Sequence, residues 1–145
     1  MKTTEVLLVD DNPADTDLTR EILMRNSCPS HIQSVTDGVE AIAFLRHEGK
    51  YINARLPDFV ILDLSLPGKD GRAVLAEVKG DAVLRKIPIT IFSTSDAKQD
   101  ILRSYELGAN CYVSKPGNLR DFISAVTSIS EFWFGLAHLP HEEEQ

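Results

Sequence analysis

Five side chains of this sequence have types and positions that can do joint chemistry: Asp10, Asp11, Asp63, Thr94 and Lys115. Each stands at or just past the end of a short apolar run: VLLV before Asp10-Asp11, FVIL before Asp63, ITIFS before Thr94 and CYVS before Lys115. Carboxylates gathered in one place repel each other, and their ionised forms need a compensating cation. A hard divalent ion with oxygen ligands meets that need, and Mg²⁺ suits a site with few protein ligands and several waters. A carboxylate beside such an ion can act as a nucleophile toward phosphorus and become an aspartyl phosphate. The ion and a fixed lysine would neutralise charge spreading over the equatorial phosphoryl oxygens, and a threonine hydroxyl can donate to one of them. Taken singly, each residue has a plainer use. Asp10-Asp11 can cap a helix, Asp63 can sit in a turn, Thr94 can bond locally and Lys115 can simply be solvated. The chemistry depends on a fold that gathers them.

The elements that would do so follow from the pattern of the chain. Runs 6–9, 31–35, 59–64, 87–92 and 111–113 read as strands, and 59–64 is nearly all apolar, as a strand buried on both faces should be. Helical patterns lie between them. Asn12 before Pro13 is an N-cap followed by proline at the first helical position, and Leu18, Ile22 and Leu23 share a face. Asp37-Gly38 opens a second helix whose period is set by Val39, Ile42, Ala43 and Leu45, with Gly49 as a stop. Residues 71–79 form the third helix, with Val74, Leu75 and Val78 inward, and 97–107 a more polar fourth that ends at Gly108. Asn118, with Asp121 three residues on, caps a last helix running to about Phe134. Five β–α units of this kind predict a doubly wound α/β fold, a five-stranded parallel sheet with helices on both faces. Ligands then bind outside the C-terminal ends of the strands, and all five candidate residues, at the ends of four strands, fall at that edge.

Composition narrows the functional classes. The 145 residues suffice for one domain with a core, and the 43% hydrophobic and 26% charged content is ordinary for a globular chain. A net charge of −7 without a basic cluster argues against nucleic acid, although part of the acidity is local, in Asp10, Asp11, Asp15 and Asp17. No apolar run approaches the roughly 18 residues of a membrane span, and residues 1–5 do not form a signal peptide, so a cytoplasmic location is expected. Cys28 and Cys111 read as reduced thiols. His31, His47, His138 and His141 have no ligand spacing and read as solvent-facing or packing residues, and the acidic run 142–144 as a solvated tail.

The segments VLLVDDNPAD (6–15), DFVILDLSLPGKDG (58–71), IFSTSD (91–96) and YVSKP (112–116) together resemble the receiver domain of two-component response regulators. The resemblance covers nearly the whole chain and implies a flavodoxin-like strand order, 2-1-3-4-5. It implies Asp63 as phosphoacceptor, Asp11 as direct metal ligand, Asp10 as a ligand through water, and Ser65 as donor of a backbone carbonyl to Mg²⁺. It likewise implies Thr94 as switch hydroxyl, Lys115 as phosphate-binding lysine, Tyr112 as aromatic switch residue, and a cis bond between Lys115 and Pro116. Ser65 departs from a family pattern that often has an amide there. DNPAD, TSD and the ending EFWFGLAHLP are further similar to the small single-domain regulators that partner phytochromes. That likeness implies a sensor histidine kinase of the phytochrome type as phosphoryl donor and action through protein contacts, without turnover of an external substrate. Two rivals are a Mg²⁺-dependent phosphatase of the haloacid-dehalogenase type and a binding module independent of phosphorylation. The first normally carries a second Asp two residues after its nucleophile, where this chain has Ser65; the intact acidic set speaks against the second.

The receiver is expected to occupy 1–134, with 135–145 as an extension. Phe132, Trp133 and Phe134 are consecutive, and one helix face cannot bury three successive side chains about 100° apart. At least one must face something else, either a fold-back onto the domain or a partner. The resemblance implies a homodimer through the fourth helix, fifth strand and fifth helix, and Trp133 is the expected anchor.

Overall fold

The computed structural model describes residues 3–26 and 30–140. Cys28, His141 and the acidic run 142–144 lie outside them. The strands are β1 (Thr4–Val9), β2 (Ser30–Val35), β3 (Phe59–Leu62), β4 (Ile89–Ser93) and β5 (Cys111–Ser114). They pair in parallel in the order β2-β1-β3-β4-β5. The helices are α1 (Pro13–Arg25), α2 (Gly38–Leu45), α3 (Gly71–Lys79), α4 (Lys98–Glu106) and α5 (Leu119–Ser130).

Strand parity divides the core in two. Leu7, Val9, Val60 and Leu62 face one side of the sheet and pack with Ala41, Ile42 and Leu45 of α2 and Val74, Leu75 and Val78 of α3. Val6, Leu8, Phe59 and Ile61 face the other and pack with Ile22 and Leu23 of α1 and Phe122, Val126 and Ile129 of α5. β1 and β3 are therefore apolar at successive positions. β2 lies at one edge and buries only Ile32 and Val35, which is why its pattern is weak. Among the described residues, no helix is long and apolar enough to cross a membrane.

The helix ends follow their capping residues. Asn12 Oδ1 accepts from the Asp15 amide, Asp37 Oδ1 from Glu40 and Asn118 Oδ1 from Asp121. In α2 the buried face differs from the expected one: Gly38, Ala41, Ile42, Phe44 and Leu45 are buried and Val39 is exposed. The helix starts in close approach to the Lys69 main chain, where a Cβ on Gly38 would collide with the Lys69 carbonyl. β4 begins at Ile89 rather than 87, because a 3₁₀ turn at Leu84–Lys86 holds the Ile87 amide on the Leu84 carbonyl. α5 ends at Ser130 and passes into a π-helical turn, Glu131–Leu136, that crosses residue 134 without a break. His31, His47 and His138 are exposed, and Cys111 is a free, half-buried thiol.

Candidate functional site

Three ladder hydrogen bonds continue one residue beyond the strands and set the site. The Asp10 amide donates to Val35 O, the Asp63 amide to Val9 O and the Lys115 amide to Ser93 O, at 3.2, 2.9 and 2.6 Å. Each functional side chain is thereby held by regular sheet geometry while its own residue starts a loop. The Lys115–Pro116 peptide is trans, since no described peptide bond is cis. This corrects the cis expectation; the trans isomer is the form an X–Pro bond favours by about 0.5–1 kcal/mol. The other end of the Asp63 loop is closed by Gly71, whose amide donates to Leu64 O at 2.9 Å and whose missing Cβ leaves room for the Asp63 carbonyl.

The side chains converge on Lys115, which is 9% exposed, and on Asp63, which is 7% exposed. Lys115 Nζ donates to Asp10 Oδ2 at 2.7 Å, Asp15 Oδ2 at 2.9 Å and Asp63 Oδ2 at 3.0 Å. Asp10 Oδ1 accepts from the Asn12 amide and Asp63 Oδ1 from the Ser65 amide, at 2.9 and 3.2 Å. Burial draws the Lys115 ammonium toward losing its proton, but the three carboxylates outweigh it and hold its pKa above the usual lysine range. Burial is also the main reason the Asp10 carboxyl titrates above its ordinary range. The attraction of Lys115 offsets only part of that, and Asp63 adds repulsion.

One oxygen each of Asp10, Asp11 and Asp63 lies within 4.8 Å of the others. Such a set of hard oxygen donors fits a divalent ion of the Mg²⁺ or Mn²⁺ kind. The structure thus gathers Asp10, Asp11, Asp63 and Lys115 at one edge, as their places after the strands predict. It adds Asp15, which the sequence shows only as part of a local acidic stretch. The available signal was its position in the first turn of a helix that starts right after the Asp pair.

The response regulator receiver domain model matches residues 6–127. The chain belongs to the response regulator receiver family. It is 42% identical over 135 residues to the response regulator Rcp1 of Synechocystis sp., covering 93% of this chain and 92% of that one. The phosphorylated cyanobacterial phytochrome response regulator RcpA superposes with a TM-score of 0.94 at 46% identity, over 97% of this chain and 100% of that one. The Mn²⁺-bound form of Rcp1 gives a TM-score of 0.93 at 40% identity, over 95% and 99% of the two chains. These are single-domain relatives of nearly the same length.

Around the receiver site, Thr94 is exposed at the start of the loop between β4 and α4, and Ser65 is exposed beside Asp63. Half-buried Tyr112 reaches that loop, its hydroxyl donating to the Ser95 carbonyl at 2.8 Å, and Ser114 Oγ donates to the same oxygen at 3.3 Å. Ser95 Oγ donates to Asp100 at 2.6 Å, and Asp100 is bound by Arg72 at 2.5 Å. The loop of Thr94 is therefore tied to β5 on one side and to the first turn of α3 on the other.

The aromatic ending of the receiver behaves differently from the expected anchor. Trp133 turns inward: its ring stacks on Phe59 at 5.1 Å and its Nε1 donates to Thr90 Oγ1 at 3.0 Å. Phe134 meets Phe59 edge-on at 5.9 Å, and Leu139 packs on the same core. Phe132 and Leu136 stay exposed. The side chain expected to anchor a partner is thus occupied by its own domain, because the apolar start of β3 and the Thr90 hydroxyl give the indole both a face and an acceptor.

Proposed function

We propose that this receiver is a phosphoacceptor switch. An Asp63 carboxylate oxygen attacks the phosphorus of a phosphohistidine on a sensor kinase of the phytochrome type. The O–P bond forms as the donor's P–N bond breaks, and the electron pair stays on that histidine nitrogen, the ring leaving as neutral imidazole because its other nitrogen already carries a proton. The observation that carries this reading is that the buried Asp63 carboxylate lies both 3.0 Å from Lys115 and within the acidic cluster of Asp10 and Asp11. Lys115 provides fixed positive charge to the phosphoryl oxygens, and Thr94 donates its hydroxyl to one of them. Asp11, Asp63 and the Ser65 carbonyl would hold Mg²⁺ directly, with Asp10 acting through water. That ion would supply charge neutralisation, and the Mn²⁺-bound Rcp1 supports a divalent ion here. The phosphorylated RcpA supports the acceptor role.

The switch then runs from Thr94 to Tyr112, through the Ser95 loop that Tyr112 already touches. Its output is a protein contact in the cytoplasm, through the face built by α4, β5 and α5, used for a homodimer. Exposed Leu102 and Tyr105 on α4 and the half-buried edge strand β5 support that face. Exposed Phe132 and Leu136 add apolar surface after α5, in a groove shared with Asn26 at the end of α1. The haloacid-dehalogenase alternative is disfavoured by Ser65, which offers no carboxyl group for general acid catalysis. Incubation with a phytochrome-type kinase and labelled ATP tests the proposal. Wild type is expected to take an alkali-labile, hydroxylamine-labile label that Asp63→Asn lacks entirely, and undiminished acyl-phosphate label in that variant would refute it.

A further inference from the structure

We infer that Asp15 is a further positioning residue of the acceptor site, which occupies the Lys115 donor that an incoming phosphoryl oxygen must take. The inference rests on Asp63 as acceptor and goes beyond it. A lysine ammonium has three N–H donors, and in this structure Asp10, Asp15 and Asp63 accept one each. A phosphoryl oxygen can reach Lys115 only if one acceptor lets go. Asp63 carries the reacting oxygens, and the side chain of Asp10 is only 13% exposed and also accepts from the Asn12 amide. The side chain of Asp15 is 27% exposed, the most open of the three, so it regains water at the lowest cost when released. The Asp15 amide is fixed by the Asn12 cap at 3.0 Å, so the side chain starts from a fixed point in the first turn of α1. Asp15 therefore opposes phosphorylation in two ways: it competes for Lys115, and it adds a negative charge near an arriving anion.

A structural role and this role predict opposite signs. Asp15→Asn removes a carboxylate from the N-terminus of α1, where it favours the helix, and is expected to lower the urea midpoint slightly. A merely structural residue would then leave phosphorylation unchanged or slow it. The inference expects faster phosphorylation of the full chain by acetyl phosphate with Mg²⁺, by about three- to tenfold, the scale of two unit charges about 4 Å apart at the dielectric of water. Acceleration should be smaller with phosphoramidate, which carries one negative charge fewer at neutral pH. Asp17→Asn, the same change of charge at an exposed position of the same helix, should accelerate neither donor. Labelled wild type with an Asp15→Asn rate that is unchanged, reduced, or raised no more than in Asp17→Asn would overturn the inference and leave the acceptor reading intact. Wild type that takes no label from either donor or from a kinase would overturn both.

Discussion

Asp63 and Lys115 are buried, whereas Asp11 is exposed at the rim of the same cluster. This division separates what each residue does for the fold from what it does for the site. Among the described residues the Asp11 side chain has no hydrogen bond or ion pair to lose, so Asp11→Ala should leave the urea midpoint within about 0.5 kcal/mol of wild type in free energy. The same variant should abolish Mg²⁺ binding in a calorimetric titration, and unchanged affinity would remove Asp11 from the metal site. Calorimetry is the right measurement, since the single tryptophan lies on Phe59 and Thr90 at the start of β3 and β4, away from the acidic edge. Lys115 needs the opposite caution. Its raised pKa means that the stability it contributes is fully present below the usual lysine value of 10.5 and is lost only as pH rises through the still higher folded value. Across neutral pH the ammonium is constant, and any pH dependence of phosphorylation there has another source.

Between elements, the link from α3 to α4 stands out. Arg72 in the first turn of α3 binds Asp70 and Asp100, and Asp100 in the first turn of α4 accepts from Ser95. The two helices and the Thr94 loop share one carboxylate. The Ser95 hydroxyl first, and Arg72 next, hold the Asp100 carboxyl below its ordinary value of 3.8. A depressed carboxylate contributes stability that is present above its unfolded value and is lost as pH falls through the folded one. Asp100→Asn should therefore cost stability at pH 6. That deficit should shrink as pH falls below about 3.8, measured by urea unfolding of both proteins at each pH. A deficit independent of pH would mean that the charge of Asp100 contributes nothing. Gly38 and Gly71 act at the same scale: each lets a helix start against the main chain of the Asp63 loop.

For the molecule as a whole, the C-terminal segment completes a core before it offers a surface. Trp133, Phe134 and Leu139 cover the side of the sheet where Phe59 sits between α1 and α5. Trp133→Ala should cost about 2–3 kcal/mol, below the range for a fully buried tryptophan because this one is half-buried. Truncation after Glu131 should cost more, read as a lowered urea midpoint in both cases. A stability unaffected by truncation would show that the segment leaves its own domain. The proposed dimer then rests on the exposed Phe132 and Leu136 with the α4–β5–α5 face. Phe132→Ala should shift sedimentation toward monomer without the stability loss of Trp133→Ala.

The sequence by itself determined the five alternating units, the capped starts of α1, α2 and α5, and the candidate residues Asp10, Asp11, Asp63, Thr94 and Lys115. These are local matters: strand burial leaves continuous apolar runs, caps need particular side chains, and parallel strands put their C-terminal ends at one edge. Tertiary structure decided what depends on direction. Periodicity could not fix the buried face of α2, because Ala41, Ile42, Phe44 and Leu45 pack on a core supplied by β1, β3 and α3, which lie elsewhere in the sequence. It could not say which of three consecutive aromatics is inside, because the π-helical turn after Ser130 changes the rotation per residue and sets Trp133 over Phe59. Nor could spacing single out Asp15 among the acidic residues of that stretch, since its meaning comes from Lys115, 100 positions away, arriving at the same edge from the end of β5.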